Sequence, residues 1–136
     1  KTNRPIKALI GDYTNSMAPF TNSVIKTMGI ETEVVPSASD VIERAKNKNN
    51  HYDIIITNNV YPSGESGDMV LDEIKDNKID IPVIILTVDQ DSRNWFISKG
   101  FDEYIEKPID EDKVIKIFPK VVKNLKFTKI KKSNKS

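Results

Sequence analysis

Four side chains of this sequence are of types that suit a small polar site: the acid of Asp12, the amide of Asn58, the hydroxyl of Thr87 and the ammonium of Lys107. Each closes or follows an apolar, β-branched run, which is how a buried strand delivers a side chain to the edge of a sheet. Gathered at one place they would offer hydrogen bonds of both senses and one charge of each sign. Asn58 is the unexpected member. The stretch YDIIITNNVYP, residues 52–62, builds a buried strand and then presents two neutral amides where chemistry usually needs a charge. Asn59 reads as a turn former, and Asn58 could be one too, since asparagine accepts left-handed backbone angles and bonds its own backbone.

The four residues converge only in an open parallel sheet, where ligands meet the protein beyond the carboxyl ends of the strands. Strands are expected at 6–10, 33–35, 53–57, 82–87 and 103–106, alternating with helices at 16–28, 39–48, 68–76, 91–99 and 110–125. This alternation predicts an α/β fold: a single five-stranded parallel sheet with helices on both faces. Ser37 or Ser39 can cap the second helix and Asp110 the last, while Gly29 and Gly100 stand where helices should stop. In the last helix Val114, Ile117, Phe118, Val121, Val122 and Leu125 repeat at helical spacing and predict a face laid on the sheet. Pro119 interrupts that run. Its missing donor and its crowding of the preceding turn predict a kink or break there.

Composition bounds the function. A chain of 136 residues, 38% hydrophobic and 30% charged, has room for one real core. One domain is expected over 6–125, after a short extension 1–5 and before a lysine-rich tail or linker 126–136. No run approaches the ~20 apolar residues of a membrane span, and residues 1–7 lack the apolar stretch of a signal peptide. A cytoplasmic location without a membrane partner is therefore expected. The first residue is a lysine, which reads as a segment of something longer. The lack of cysteine excludes disulfides and thiolate metal sites, and the single histidine, His51, cannot form a multi-histidine centre. Seven lysines and no acid follow Pro119, leaving 14 basic against 20 acidic groups before it, a balance of −6. Without interleaved aromatics, the basic end reads as a solvated tail rather than a nucleic-acid arm.

The strand ends in KALIGD, YDIIITNN, PVIILT and FDEYIEKP, in that order and at those separations, resemble the receiver domain of two-component response regulators and hybrid histidine kinases. The resemblance spans about residues 5–125 and implies the (βα)5 flavodoxin-like receiver fold. Lys107-Pro108 matches the family's lysine and its following, often cis, proline; Thr87 matches the Ser or Thr that closes the fourth strand. Tyr104 stands where the family has an aromatic residue that often swings between outward and inward rotamers on activation; a half-buried strand aromatic is the plainer reading. Two positions depart. Gly11-Asp12 stands where the family has two adjacent acids that hold Mg²⁺, and Asn58 stands where it has the phosphate-accepting aspartate. The loop PSGESG is also one residue longer than the family's usual spacing.

Transfer of a phosphoryl group from histidine needs a carboxylate nucleophile and a metal that neutralises the transferring oxygens. The amide of Asn58 is uncharged and its nitrogen lone pair is delocalised, so it cannot form the acyl phosphate. Gly11 offers no ligand, so Mg²⁺ binding is expected to be weak or absent, with Asp12 the only acid remaining. Asp12 and Lys107 are then expected to neutralise each other, directly or through water. Gly11, Asp12, Asn58, Thr87 and Lys107 form a degenerate phosphorylation site, either a relic or a working polar switch.

The function implied is a non-enzymatic, receiver-like signalling domain acting through protein contacts, its partner a sensor kinase or an output domain. Phe96 should pack inward, leaving Trp95 exposed beside Tyr104 on the face of the fourth helix, fifth strand and fifth helix, where a partner or a second copy could dock. Two alternatives stand. One is a flavodoxin-like module for a small anion or nucleotide, although no glycine-rich phosphate loop is present; the other is a receiver phosphorylated at a displaced acceptor, Glu65 or Asp53.

Overall fold

The computed structural model describes residues 5–13, 18–123 and 125, and within them strands and helices alternate along the chain. In order they are β1 (Lys7–Gly11), α1 (Ala18–Thr27), β2 (Glu31–Val35), α2 (Ala38–Lys46), β3 (Ile54–Asn58), α3 (Gly67–Asp76), β4 (Val83–Thr87), α4 (Arg93–Lys99), β5 (Glu103–Glu106) and α5 (Glu111–Val121). The strands form one parallel sheet in the order β2-β1-β3-β4-β5. Strand order therefore reverses at β1, and the crevice beyond the ends of β1 and β3 is where such a sheet offers a site.

Side-chain alternation divides the core in two. Leu9, Ile55, Val83, Ile85 and Tyr104 point to one face and pack with Val41 of α2, Val70, Leu71 and Ile74 of α3 and Phe96 of α4. Ala8, Ile10, Ile54, Ile56, Ile84, Leu86 and Ile105 point to the other, against Ile25 of α1 and Val114 and Phe118 of α5. β3 and β4 are buried along their whole length, as their unbroken apolar sequences require. Each buried isoleucine there contributes about 1.5–3 kcal/mol, so these two strands anchor the sheet.

Helix ends follow local chemistry. Ser37 caps α2 by accepting from Asp40 N, Ser66 caps α3 from Met69 N, and Asp110 caps α5 from Lys113 N. Gly29 and Gly100 take positive φ, 85° and 117°, as helix stops. Three expectations need correction. The fourth helix begins at Arg93 rather than 91, because Asp91 is left-handed with φ 59° and cannot be helical. Pro119 does not end α5, which continues to Val121. Placed near the C-terminus, it forfeits one bond, and the Val122 N–H still reaches Phe118 O at 2.9 Å. The helix stops there and not at 125; Ser16 and Met17 in the expected first helix, and the expected tail 126–136, lie outside the described residues.

Candidate functional site

Parallel pairing brings the carboxyl ends of four strands together: Gly11 lies beside Thr57, Asn58 beside Leu86, and Thr87 beside Glu106. A cavity of about 230 Å³ opens there, lined by Asn58, Thr87 and Lys107 with Tyr13, Asn59, Val60, Val88 and Asp89 around them. Three of the four residues expected to converge line it. Asp12 is fully buried behind it, with its Oδ1 accepting from Tyr13 N at 2.9 Å. Val60 and Val88 are largely exposed and give the mouth an apolar rim.

Each polar group has a local task. Asn58 is buried, and its Nδ2 donates to Val60 O at 3.1 Å, a bond only an amide or other donor can make. It is neither left-handed nor is Asn59; among the described residues the positive-φ residues other than glycine are Lys78 and Asp91. Asn59 nonetheless shapes the turn, its carbonyl accepting from Gly67 N at 2.9 Å. Thr87 Oγ1 accepts from Asp89 N at 3.2 Å and fixes the loop after β4. Lys107 N donates to Thr87 O at 2.8 Å, and the Lys107-Pro108 peptide is cis. Among the described residues no direct ion pair joins Asp12 to Lys107. Among the described residues no group of three or more acids or histidines is arranged to hold a metal ion.

Tyr61 was not expected near the site; it packs in the core next to the strand ends, beside Gly11 and Thr57. It is 2% exposed, and its hydroxyl lies 2.8 Å from Thr57 Oγ1, which itself bonds Asn58 O at 2.9 Å. Burial raises the Tyr61 pKa above the usual phenol range, so the group is neutral and hydrogen-bonded. The signal in the sequence was Gly11, whose missing side chain leaves room for another group.

Glu65, weighed as a displaced acceptor, binds the start of α2 instead. Its Oε1 accepts from Ala38 N at 2.9 Å and Ser39 N at 3.3 Å, and its Oε2 accepts from Ser39 Oγ. This fastens the loop after β3 to a helix N-terminus, where a carboxylate is favoured. Hydrogen bonds from Ser39 lower the Glu65 pKa from 4.5. A lowered folded value gives stability that is present above the unfolded value and lost as pH falls through the folded one. Glu65→Gln is therefore expected to melt lower than the unmodified protein at pH 7, with the gap closing as the buffer is acidified; a gap constant with pH would refute the carboxylate's role. Asp53 accepts from Lys7 N at 2.9 Å at the opposite end of β3, far along the strand from the cavity.

On the face of α4, β5 and α5, Trp95 points outward and Phe96 inward as expected, whereas Tyr104 is buried rather than half-buried. Trp95 is 62% exposed with Lys99 Nζ 5.0 Å from its ring centroid, and Phe96 is buried. Tyr104 is turned inward, its ring 5.9 Å from that of Phe96 and its hydroxyl donating to Asp89 O at 2.5 Å. Burial raises its pKa. Sequence reasoning missed Glu103, a buried acid that holds Arg93 of α4 at 2.8 Å and Lys120 of α5 at 3.8 Å. Its place two residues before Ile105, which faces α5, puts it on that same side of the strand and was the available sign.

Residues 8–118 match the response regulator receiver domain family, and the chain belongs to it. Solved structures agree. The receiver domain of a Francisella response regulator is 26% identical, with a TM-score of 0.69 over 82% of this chain and 91% of that one. Response regulator TrrA of Thermotoga maritima, in complex with Mg²⁺ and beryllofluoride, is 24% identical, with a TM-score of 0.72 over 86% and 99%. The receiver domain of a Pseudomonas aeruginosa sensor histidine kinase, with magnesium coordinated in its active-site cleft, is 18% identical, with a TM-score of 0.74 over 87% and 98%. No curated protein matches the chain. Receiver domains are signalling modules of two-component systems rather than enzymes, and they act on protein partners, kinases and output domains. No described helix is long and apolar enough to cross a membrane.

Proposed function

We propose that this receiver domain does not take up phosphate at position 58 and signals through protein contacts on the face of α4, β5 and α5. It does so as one unit, residues 6–125, of a longer cytoplasmic two-component protein. One observation supports the reading: at the end of β3, where the family resemblance puts the acceptor, the side chain is the buried amide of Asn58, donating to Val60 O. An amide so engaged is neither a nucleophile nor a metal ligand of the strength a carboxylate supplies. The displaced-acceptor alternative is weakened because Glu65 is bonded to α2 and neither it nor Asp53 lines the cavity. A titration with beryllofluoride and Mg²⁺, followed by backbone amide shifts, tests the reading. The strand-end amides of Asn58, Thr87 and Lys107 should stay in place; large metal-dependent shifts there would refute it.

The contact face is framed by ion pairs. Glu103 ties Arg93 and Lys120 to β5, so both flanking helices are held to the edge strand. Trp95 stands out from that frame, and an exposed tryptophan suits a hot spot. Trp95→Ala should leave fold stability within about 0.5 kcal/mol, because the ring buries little in the monomer. Self-association in sedimentation velocity, or capture of the cognate kinase, should weaken about tenfold, or about 1.4 kcal/mol. Association unchanged by the substitution would remove Trp95 from the interface.

A further inference from the structure

The family resemblance places two adjacent metal-holding acids at the end of β1, and the first of those places is Gly11. That place is not a vacant ligand position waiting for a carboxylate. A Cβ built on Gly11 would lie 2.4 Å from the Tyr61 hydroxyl and 2.5 Å from Val41 Cγ2. Neither neighbour is a loose side-chain end: Val41 is fully buried, and the Tyr61 hydroxyl is held by Thr57 Oγ1 at 2.8 Å. The strand has no slack either, because Gly11 is paired with Val35 on one side and Thr57 on the other. A core packed this closely resists even one added methyl. Mg²⁺ in turn demands near-octahedral ligands, so an acid displaced by such a clash binds it poorly. The residues present do not fit the metal.

We infer that Tyr61 closes the site to a divalent cation by filling the volume that an acidic side chain at position 11 needs, so that restoring acids at 11 and 58 does not alone restore metal binding. This deepens the proposed function and rests on its reading of positions 11 and 58. Tyr61 acts here as a specificity-determining residue. It replaces charge at the strand ends with a neutral hydroxyl, and its ring links the end of β3 to α2.

The geometry offers a direct test. Tyr61→Phe removes the hydroxyl and leaves the ring carbon Cζ at 3.6 Å from the built Cβ, an ordinary contact. Gly11→Ala should lower the urea midpoint of the unmodified protein, and lower it less in the Tyr61→Phe background. The Val41 contact is common to both backgrounds and cancels in the comparison. Equal drops would overturn the inference. The metal arm compares Gly11→Asp/Asn58→Asp with the same pair plus Tyr61→Met, a flexible residue that leaves room. Amide shifts during Mg²⁺ titration should show about tenfold tighter binding with Tyr61→Met. Equal affinity in both, or no binding by either folded variant, would overturn the inference; if either variant fails to fold, the Gly11→Ala comparison decides. Phosphorylation of the unmodified protein would sink the proposed function, whereas equal drops on Gly11→Ala would sink only the role of Tyr61.

Discussion

Tyr61→Ala is expected to destabilise the domain by about 3–5 kcal/mol, near the cost of deleting a buried aromatic ring. The ring is 2% exposed and belongs to the core beneath α2 and α3. Its removal leaves a cavity bordered by Gly11, which has no side chain to collapse inward, and by Val41, which is already packed. Tyr61→Phe should cost only about 0.5–1.5 kcal/mol, the usual net value of one hydrogen bond, because Thr57 Oγ1 keeps its bond to Asn58 O. Urea unfolding of both variants measures the difference. Near-equal losses would mean that the ring contributes little, contrary to its placement.

Asn58→Asp should cost about 1–3 kcal/mol at neutral pH, the range for a buried polar group that loses its partner. The substitution turns the Val60 contact from donor–acceptor into two facing oxygens. It also sets a second carboxylate beside buried Asp12, since Gly11 and Thr57 are paired and these residues come next along β1 and β3. Lys107 lines the same cavity and offsets part of that charge. Burial and the neighbouring acid should raise the pKa of the new carboxyl in the folded state. A raised folded value costs stability as pH rises through it, so the deficit should be large at pH 7 and shrink below about pH 4, the unfolded aspartate value. Thermal melts across that range give the result. A variant as stable as the unmodified protein at pH 7 would contradict the amide's role as donor.

How much was legible follows from the range of the forces involved. The apolar runs of β3 and β4 declared themselves because strands covered on both faces need such runs, and Ser37, Asp110, Gly29 and Gly100 act within their own turns. The places of Asn58, Thr87 and Lys107 followed from sheet topology, which carries each strand end to the same edge. What stayed hidden depends on contacts between distant segments. Glu65 meets α2 across 26 and 27 residues, Tyr61 meets Gly11 and Val41 across the sheet, and Glu103 draws Arg93 and Lys120 from two helices. Pro119 was overweighted because its cost depends on position: near a helix end it forfeits one bond and little else. The full burial of Asp12, which accepts from the Tyr13 N–H, likewise depends on segments packed over the end of β1 from elsewhere in the chain.

The most direct test of the central claim is the intact mass of the unmodified protein after incubation with acetyl phosphate and Mg²⁺. The expected result is no added phosphoryl group, because position 58 offers an amide bonded to Val60 O in place of a carboxylate. A mass gain of one phosphoryl group, labile to alkali and to hydroxylamine as an acyl phosphate is, mapped to any residue of the cavity, would contradict it.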